Sequence, residues 1–213
     1  MPATRFLGEP DDGRTTVQSL GHQLFIDHVL APGWSVQGGA SYRDSSLAGF
    51  STEANNLLAD GHTLRRQRRY RDWAALDRSA RIELLGTAST AGIRHAFLIG
   101  FDAYRFDDNR IQLRRNPSAA NPYAIDIFNP VYGAVAAPLA LSVDTEEHQK
   151  ASALYAQDQV DLAPQWKALV GVRADRYHQR VANHRTASVN EQELRAVSPR
   201  AMLAYSDTAG AGW

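Results

Sequence analysis

Cysteine is absent from the 213 residues, which excludes disulfide staples and thiolate metal sites while leaving the compartment open. Lysine is nearly absent as well: Lys150 and Lys167 stand alone, and arginine carries the rest of the positive charge. Acidic and basic residues balance to a formal net charge of zero, so no excess of one sign points to nucleic acid. No stretch reaches the ~18 apolar residues that a membrane-crossing helix needs. Catalytic signatures are missing too: there is no His-x-x-x-His pair, no phosphate loop, no Gly-x-Gly-x-x-Gly and no serine elbow. Glu146, Glu147 and His148 are adjacent and form no helical metal face. Asp107 with Asp108, and Asp158 with Asp161, are paired carboxylates only by position. Alternating charge on one strand face accounts for Asp161 and Asp175 without catalysis. The expectation is no enzyme, no metal and no cofactor.

What is present is alternation. From Ala151 to His178 two arms of alternating polarity flank the turn Ala163-Pro164-Gln165, which ends in Trp166. On the second arm Ala168, Val170, Val172 and Ala174 share one face, and Lys167, Arg173, Asp175 and Gln179 the other. Such a pattern fits a half-exposed soluble sheet or a membrane barrel with lipid outside and water inside. The negative mean hydropathy excludes neither, because a polar lumen face dilutes the average.

Along the chain, residues 1–14 read as loop, rich in Gly, Pro and Asp. A strand is expected from Thr15 to Leu30, ended by Ala31-Pro32-Gly33. Trp34, Val36, Gly38, Ala40 and Tyr42 then line one face of the next strand. Its aromatics stand about 27 Å apart at ~3.4 Å per residue, against the ~25 Å apolar band of an outer-membrane barrel with its two aromatic girdles. A polar loop is expected from Ser51 to Tyr70, a third strand from Arg71 to Thr87 interrupted by Arg78, and the turn Ser89 to Gly92. A fourth strand places Phe97, Ile99, Phe101 and Ala103 opposite Gly100, Asp102 and Tyr104. Asn109 to Glu147 reads as a long connection with four prolines. After the hairpin come a polar loop, Asn183 to Arg195, and a seventh strand, Ser198 to Tyr205. Short turns therefore gather at one end and long loops at the other, with tryptophan directly after the turns at Trp34, Trp166 and Trp213. Indole rings favour a membrane interface. On the polar face, Arg173 and Asp175 are expected to join a network with neighbours such as Arg200.

Several segments together resemble the TonB-dependent siderophore receptors, in particular the ferrichrome- and pyoverdine-receptor type. They are Arg5-Phe-Leu-Gly-Glu-Pro, Trp34 to Asp44, Asp126-Ile-Phe-Asn-Pro-Val-Tyr-Gly, Tyr155-Ala-Gln-Asp-Gln, Gly171-Val-Arg-Ala-Asp-Arg-Tyr and Ser198-Pro-Arg. The resemblance covers essentially the whole chain. It implies an all-β fold: an antiparallel, up-and-down transmembrane barrel, in the family roughly 22 strands around a plug. It implies ferric siderophore as ligand, the outer membrane as location, outer-membrane lipid and lipopolysaccharide as partners, and TonB as a partner of the full-length family only. The chain departs from that pattern. Residues 1–10 lack the charged and apolar regions of a signal peptide, no TonB box or plug is found, and only about seven strands can be read. The expectation is that residues 1–213 form one partial, open barrel segment without plug or C-terminal strands, inactive alone.

If the outer loops meet ligand, Arg65, Arg66, Arg68 and Arg69 are the candidates for an anionic ferric chelate or lipopolysaccharide phosphate, and Tyr123, Phe128 and Tyr132 for aromatic contacts. Loops that only cover the barrel mouth account for the same residues. The alternatives left by the residues alone are a soluble β-rich binding module for carbohydrate or protein and a passive porin-like barrel.

Overall fold

A computed structural model describes residues 5–206. After a short 3-10 turn at Pro10–Asp12 the chain is almost entirely strand: β1 (Thr16–Ala31), β2 (Trp34–Leu57), β3 (Thr63–Thr90), β4 (Ile93–Arg115), β5 (Ala124–Asp126), β6 (Ala140–Ala163), β7 (Trp166–Asn183) and β8 (Ser188–Tyr205). They form one sheet in the order β1-β2-β3-β4-β6-β7-β8, with β5 added to the far end of β3. Each pairing is antiparallel. Among the described residues no pairing joins β1 to β8, so the sheet they form is open.

The register explains both faces. Directly opposed residues lie on the same side of a sheet, which lets rows be read across the strands. One row runs Ile26, Gly38, Ile82, Phe101, Leu154, Ala174, Val197, and the next runs His28, Val36, Leu84, Ile99, Ala156, Val172, Pro199. One residue along, the row reads Asp27, Gln37, Glu83, Gly100, Tyr155, Arg173, Ser198. Val170 and Val172 thus share the apolar face, and Arg173 and Asp175 the polar one, as the alternation predicts. The apolar face is bare: Leu24, Ile26, Ile82, Phe101, Leu154, Val172 and Val197 are all exposed. Among the described residues the buried hydrophobic ones reduce to Leu64, Tyr123, Ile125, Ala153 and Ala182, far too few to be the core of a water-soluble sandwich.

On the polar face, hydrogen bonds take the place of packing. Tyr155 reaches across β4 to donate to Glu83 at 2.7 Å. It crosses above Gly100, where an added Cβ would come within 2.3 Å of the ring. Arg173 grips Asp102 through two nitrogens at 2.7 and 3.1 Å and Asp175 at 2.8 Å. Arg200 does not join this network as expected. It bonds Gln157 across Gly171, because the register sets Arg200 opposite Gly171, one row from Arg173, which lies opposite Ser198.

Three boundaries differ from the sequence-based expectation. The polar loop at 51–70 is strand on both sides of a five-residue turn, with Phe50 opposite Tyr70 and Leu57 opposite Leu64. The connection at 109–147 shrinks to 116–139, since β4 runs to Arg115 and β6 starts at Ala140. The loop at 183–195 is a tight turn at 184–187, after which β8 begins. The added lengths of β2, β3 and β8 are largely polar on both faces, and those of β4 and β6 set Ile111, Leu113, Leu141 and Val143 among charged residues, so cross-strand pairs and backbone bonds hold them with no clear hydrophobic period to read. The asymmetry between the ends survives in altered form. Two-residue turns close one end, at 32–33, 91–92 and 164–165, with Gly33 supplying a φ of 79°. The other end is reached by strands of up to 28 residues, where roughly 9–11 suffice to cross a bilayer. Trp213 and the turn expected at 207–212 lie outside the described residues.

Candidate functional site

The overlong ends of β2 and β3 carry most of the candidate residues, and strand alternation sorts them. Arg65, Gln67, Arg69, Arg71 and Trp73 share the polar face; Arg66, Arg68 and Tyr70 share the other. On the polar face Arg69 lies directly opposite Ser51 on one side and Arg114 on the other. A single carboxylate, Glu53, serves this region: Arg71 contacts it at 2.5 Å, Arg69 at 3.3 Å and Gln67 at 3.4 Å. Burial pulls Glu53 up, but hydrogen bonds from Arg71 and Ser51, with the charges of Arg71 and Arg69, outweigh it and hold its carboxyl below the usual range. Deeper along the face the Trp73 ring has the Arg71 guanidinium 5.7 Å and that of Arg110 5.5 Å from its centroid, within cation–π reach. Arg110 is also paired with Asp108 at 2.7 Å.

Among the described residues, Nε of Arg65 and Nε1 of Trp73 on this face are buried with no hydrogen-bond acceptor, while Nε of Arg69 has only its 3.3 Å ion-pair contact with Glu53. Buried donors are normally satisfied, and cations opposed across strands repel. Four arginines served by one carboxylate make a surface that would accept an anion with several oxygens.

The opposite face is occupied by the chain itself. Arg66 is fully buried. It donates to the Gly8 carbonyl at 2.8 Å and to Glu9 at 2.6 Å, and stacks 4.6 Å above Tyr123. Arg68 contacts Asp12 at 2.8 Å and covers Phe50. Tyr123 is buried and meets Thr52 at 3.1 Å. Tyr132 donates to the Phe6 carbonyl at 2.8 Å, and Glu9 accepts from the Gly133 amide at 2.9 Å. Phe128 is exposed, its carbonyl taken by Arg5. The structure therefore brings Arg65 and Arg69 together on the polar face, and uses Arg66, Arg68 and Tyr123 to hold residues 5–13 against the β2–β3 end. Arg71, Trp73, Arg110 and Arg114 were not among the candidates. Alternation starting from Arg69 would have found the first two, had 63–70 been read as strand.

An open up-and-down antiparallel wall, apolar on one face and polar on the other, is a segment of a transmembrane β-barrel. The chain belongs to the TonB-dependent receptors: the family model described as TonB dependent receptor-like, beta-barrel, matches residues 2–210. Members of that family are receptors and not enzymes. Over 218 residues the chain is 38% identical to the metal-pseudopaline receptor CntO of Pseudomonas aeruginosa strain UCBPP-PA14, covering 100% of this chain and 31% of the receptor. The CntO of strain PAO1 matches to the same extent. The chain thus spans about a third of the length of these relatives. Among solved structures, the siderophore receptor PiuA of Acinetobacter baumannii superposes with a TM-score of 0.75 at 14% identity, over 95% of this chain and 32% of that one. The ferric preacinetobactin receptor BauA, also of Acinetobacter baumannii, gives 0.68 at 12% identity, over 94% and 31%. Both likenesses concern the fold.

Proposed function

We propose that this chain is part of the wall of an outer-membrane receptor that takes up a ferric siderophore or a related metal chelate, driven by TonB in the complete receptor. The observation that carries the reading is the cationic cluster on the polar face at the overlong strand ends, where Arg69 and Arg71 share the one carboxylate of Glu53 and the buried donors of Arg65 and Trp73 have no acceptor. In this reading the two-residue turns face the periplasm, the apolar face meets outer-membrane lipid and lipopolysaccharide, and the polar face lines the lumen. An anionic chelate entering from outside meets Arg65, Arg69, Arg71 and Arg114 first, then the Trp73 ring between its two guanidinium groups. Arg66, Arg68 and Tyr123 act indirectly, by fixing the hairpin that presents the cluster, while Phe128 and Tyr132 sit on the connecting segment beside it. The wall alone has two unpaired edges and transports nothing. Replacing Arg65 and Arg69 together by Gln in an assembled receptor should weaken ferric-siderophore binding by about a hundredfold, the loss of roughly two charge-assisted hydrogen bonds. Binding is read by quenching of tryptophan fluorescence. Unchanged affinity would remove the cluster from the ligand path.

A further inference from the structure

The apolar face carries a second feature that chelate uptake does not use. Just beyond the apolar belt, Arg78, Arg105, Lys150 and His178 stand directly opposite one another on four neighbouring strands, β3, β4, β6 and β7. Two residues nearer the belt, Arg176 lies opposite Arg195. Like charges directly opposed across strands destabilise a sheet, and this face has few carboxylates to relieve them. Asp107 is shared by Arg78, Arg105 and His148; Glu193 is shared by Arg176 and Arg195. Five fixed cations thus face two carboxylates. Lys150 is exposed and has no ion-pair partner among the described residues, and Nε of Arg78 is buried with no acceptor. Of the other acidic residues described on this face, Asp44, Asp72, Asp144, Glu146 and Glu191 lie further out along their strands, Glu191 paired with Arg180, and Asp158 lies at the opposite rim.

The opposite rim of the belt is different. There Trp34, Phe97, Trp166 and Tyr205 share the apolar face, with the Trp166 and Tyr205 rings 5.0 Å apart. Among the described residues no lysine or arginine stands on that rim of that face; Arg94 and Lys167 lie on the polar side with Asp161. The two rims are therefore built differently: one is aromatic, its described charge confined to the His95–Asp158 pair, and the other is rich in arginine and lysine and suits an anionic headgroup layer.

We infer that the row Arg78, Arg105 and Lys150, with Arg176 and Arg195 beneath it, binds the phosphate of a lipid in the outer leaflet. The acyl chains of that lipid would lie on Ile82, Phe101 and Leu154, two rows nearer the middle of the belt. Long cationic side chains at the edge of an apolar belt reach outward to the headgroup level, and phosphate oxygens supply the acceptor that Lys150 lacks and relieve Arg78 and Arg105, which share the single carboxylate of Asp107. The inference rests on the membrane reading above and adds to it a lipid class and a place.

The test compares an assembled receptor containing this wall with two variants, Lys150→Gln and the combined Arg78→Gln, Arg105→Gln, Lys150→Gln. Each is reconstituted in phosphatidylcholine vesicles doped with phosphatidic acid and then extracted in mild detergent, and the lipids that stay bound are counted by mass spectrometry. The native wall should retain phosphatidic acid roughly tenfold above its share in the vesicle, as expected for several cations at an anionic headgroup. The triple variant should return to the mixing ratio. Lys150→Gln, which breaks no ion pair of the fold, should fall between them. Equal retention of both lipids by the native wall, or an undiminished preference in the triple variant, overturns the inference while leaving the membrane reading intact. A native receptor that fails to enter neutral vesicles overturns both. Loss of the preference when inorganic phosphate is added in modest excess would show a free-phosphate site and overturn the lipid assignment.

Discussion

Arg66 shows how a single side chain can be decisive without touching ligand. Its guanidinium is fully buried against Glu9 and the carbonyls of Leu7, Gly8 and Tyr123, so removing it strands a buried carboxylate. Arg66→Ala should destabilise the outer end by about 3–5 kcal/mol, seen as faster amide exchange in residues 5–13 and 123–133. Adding Glu9→Ala should cost less than the two single changes summed. Gly100 offers a second test. A Cβ there would strike the Tyr155 ring, so Gly100→Val should cost about 1–3 kcal/mol through overpacking. Tyr155→Phe, which only gives up the bond to Glu83, should cost about 1 kcal/mol; denaturant midpoints separate the two.

In the turn between β2 and β3, hydrogen bonds from Thr63 and His62 pull the Asp60 carboxyl down to about 2. Asp126 is lowered by the amides of Asn129 and Phe128 and by His62. Both carboxyls have folded values below the unfolded value of about 3.9, so the unfolded turn binds more protons. Their contribution is complete above about pH 4 and is lost as the pH falls towards 2. Acid should loosen residues 58–63 and 124–129 before the rest of the sheet, as read by residue-resolved exchange. An opening that instead grew with rising pH would contradict this assignment.

At the scale of the strand, the sequence was legible wherever one face is apolar. Trp34 to Tyr42, Phe97 to Ala103 and Trp166 to Ala174 alternate cleanly because one side meets an apolar medium and the other water. Legibility stopped where both faces are polar. Residues 51–57 and 63–70 are held by backbone pairing and by Glu53 with its arginines, and ion pairs leave no hydrophobic period to read. For the same reason only Arg65 and Arg69 of the polar-face cluster were named in advance, while Trp73 and Arg110 were not. Their meeting depends on the register of β3 against β4, with Trp73 opposite Arg110. The extended strands make a further prediction: amides at 51–57 and 63–70 should exchange slowly despite their polar side chains, and limited proteolysis should cut first within 127–139, where no strand is formed.

For the whole molecule, the open edges and the bare apolar face belong together. β1 is exposed along its entire length and so is β8, and each presents a row of unpaired backbone groups. A soluble module would have buried Leu24, Ile82, Phe101 and Leu154 in a core; here they form an exposed band, as on the outward face of a membrane barrel. The family match and the 31% coverage of the CntO receptors fit a wall completed by other strands.

The absence of cysteine allows the most direct measurement. Single cysteines at positions 170 to 175 of an assembled receptor in vesicles, each carrying a nitroxide, can be probed with oxygen and with a water-soluble nickel complex. The two-faced wall predicts alternation with period two: Val170, Val172 and Ala174 accessible to oxygen and shielded from nickel, Arg173 and Asp175 the reverse. Uniform nickel access at all these positions, or no alternation, would contradict a wall with lipid on one side and water on the other.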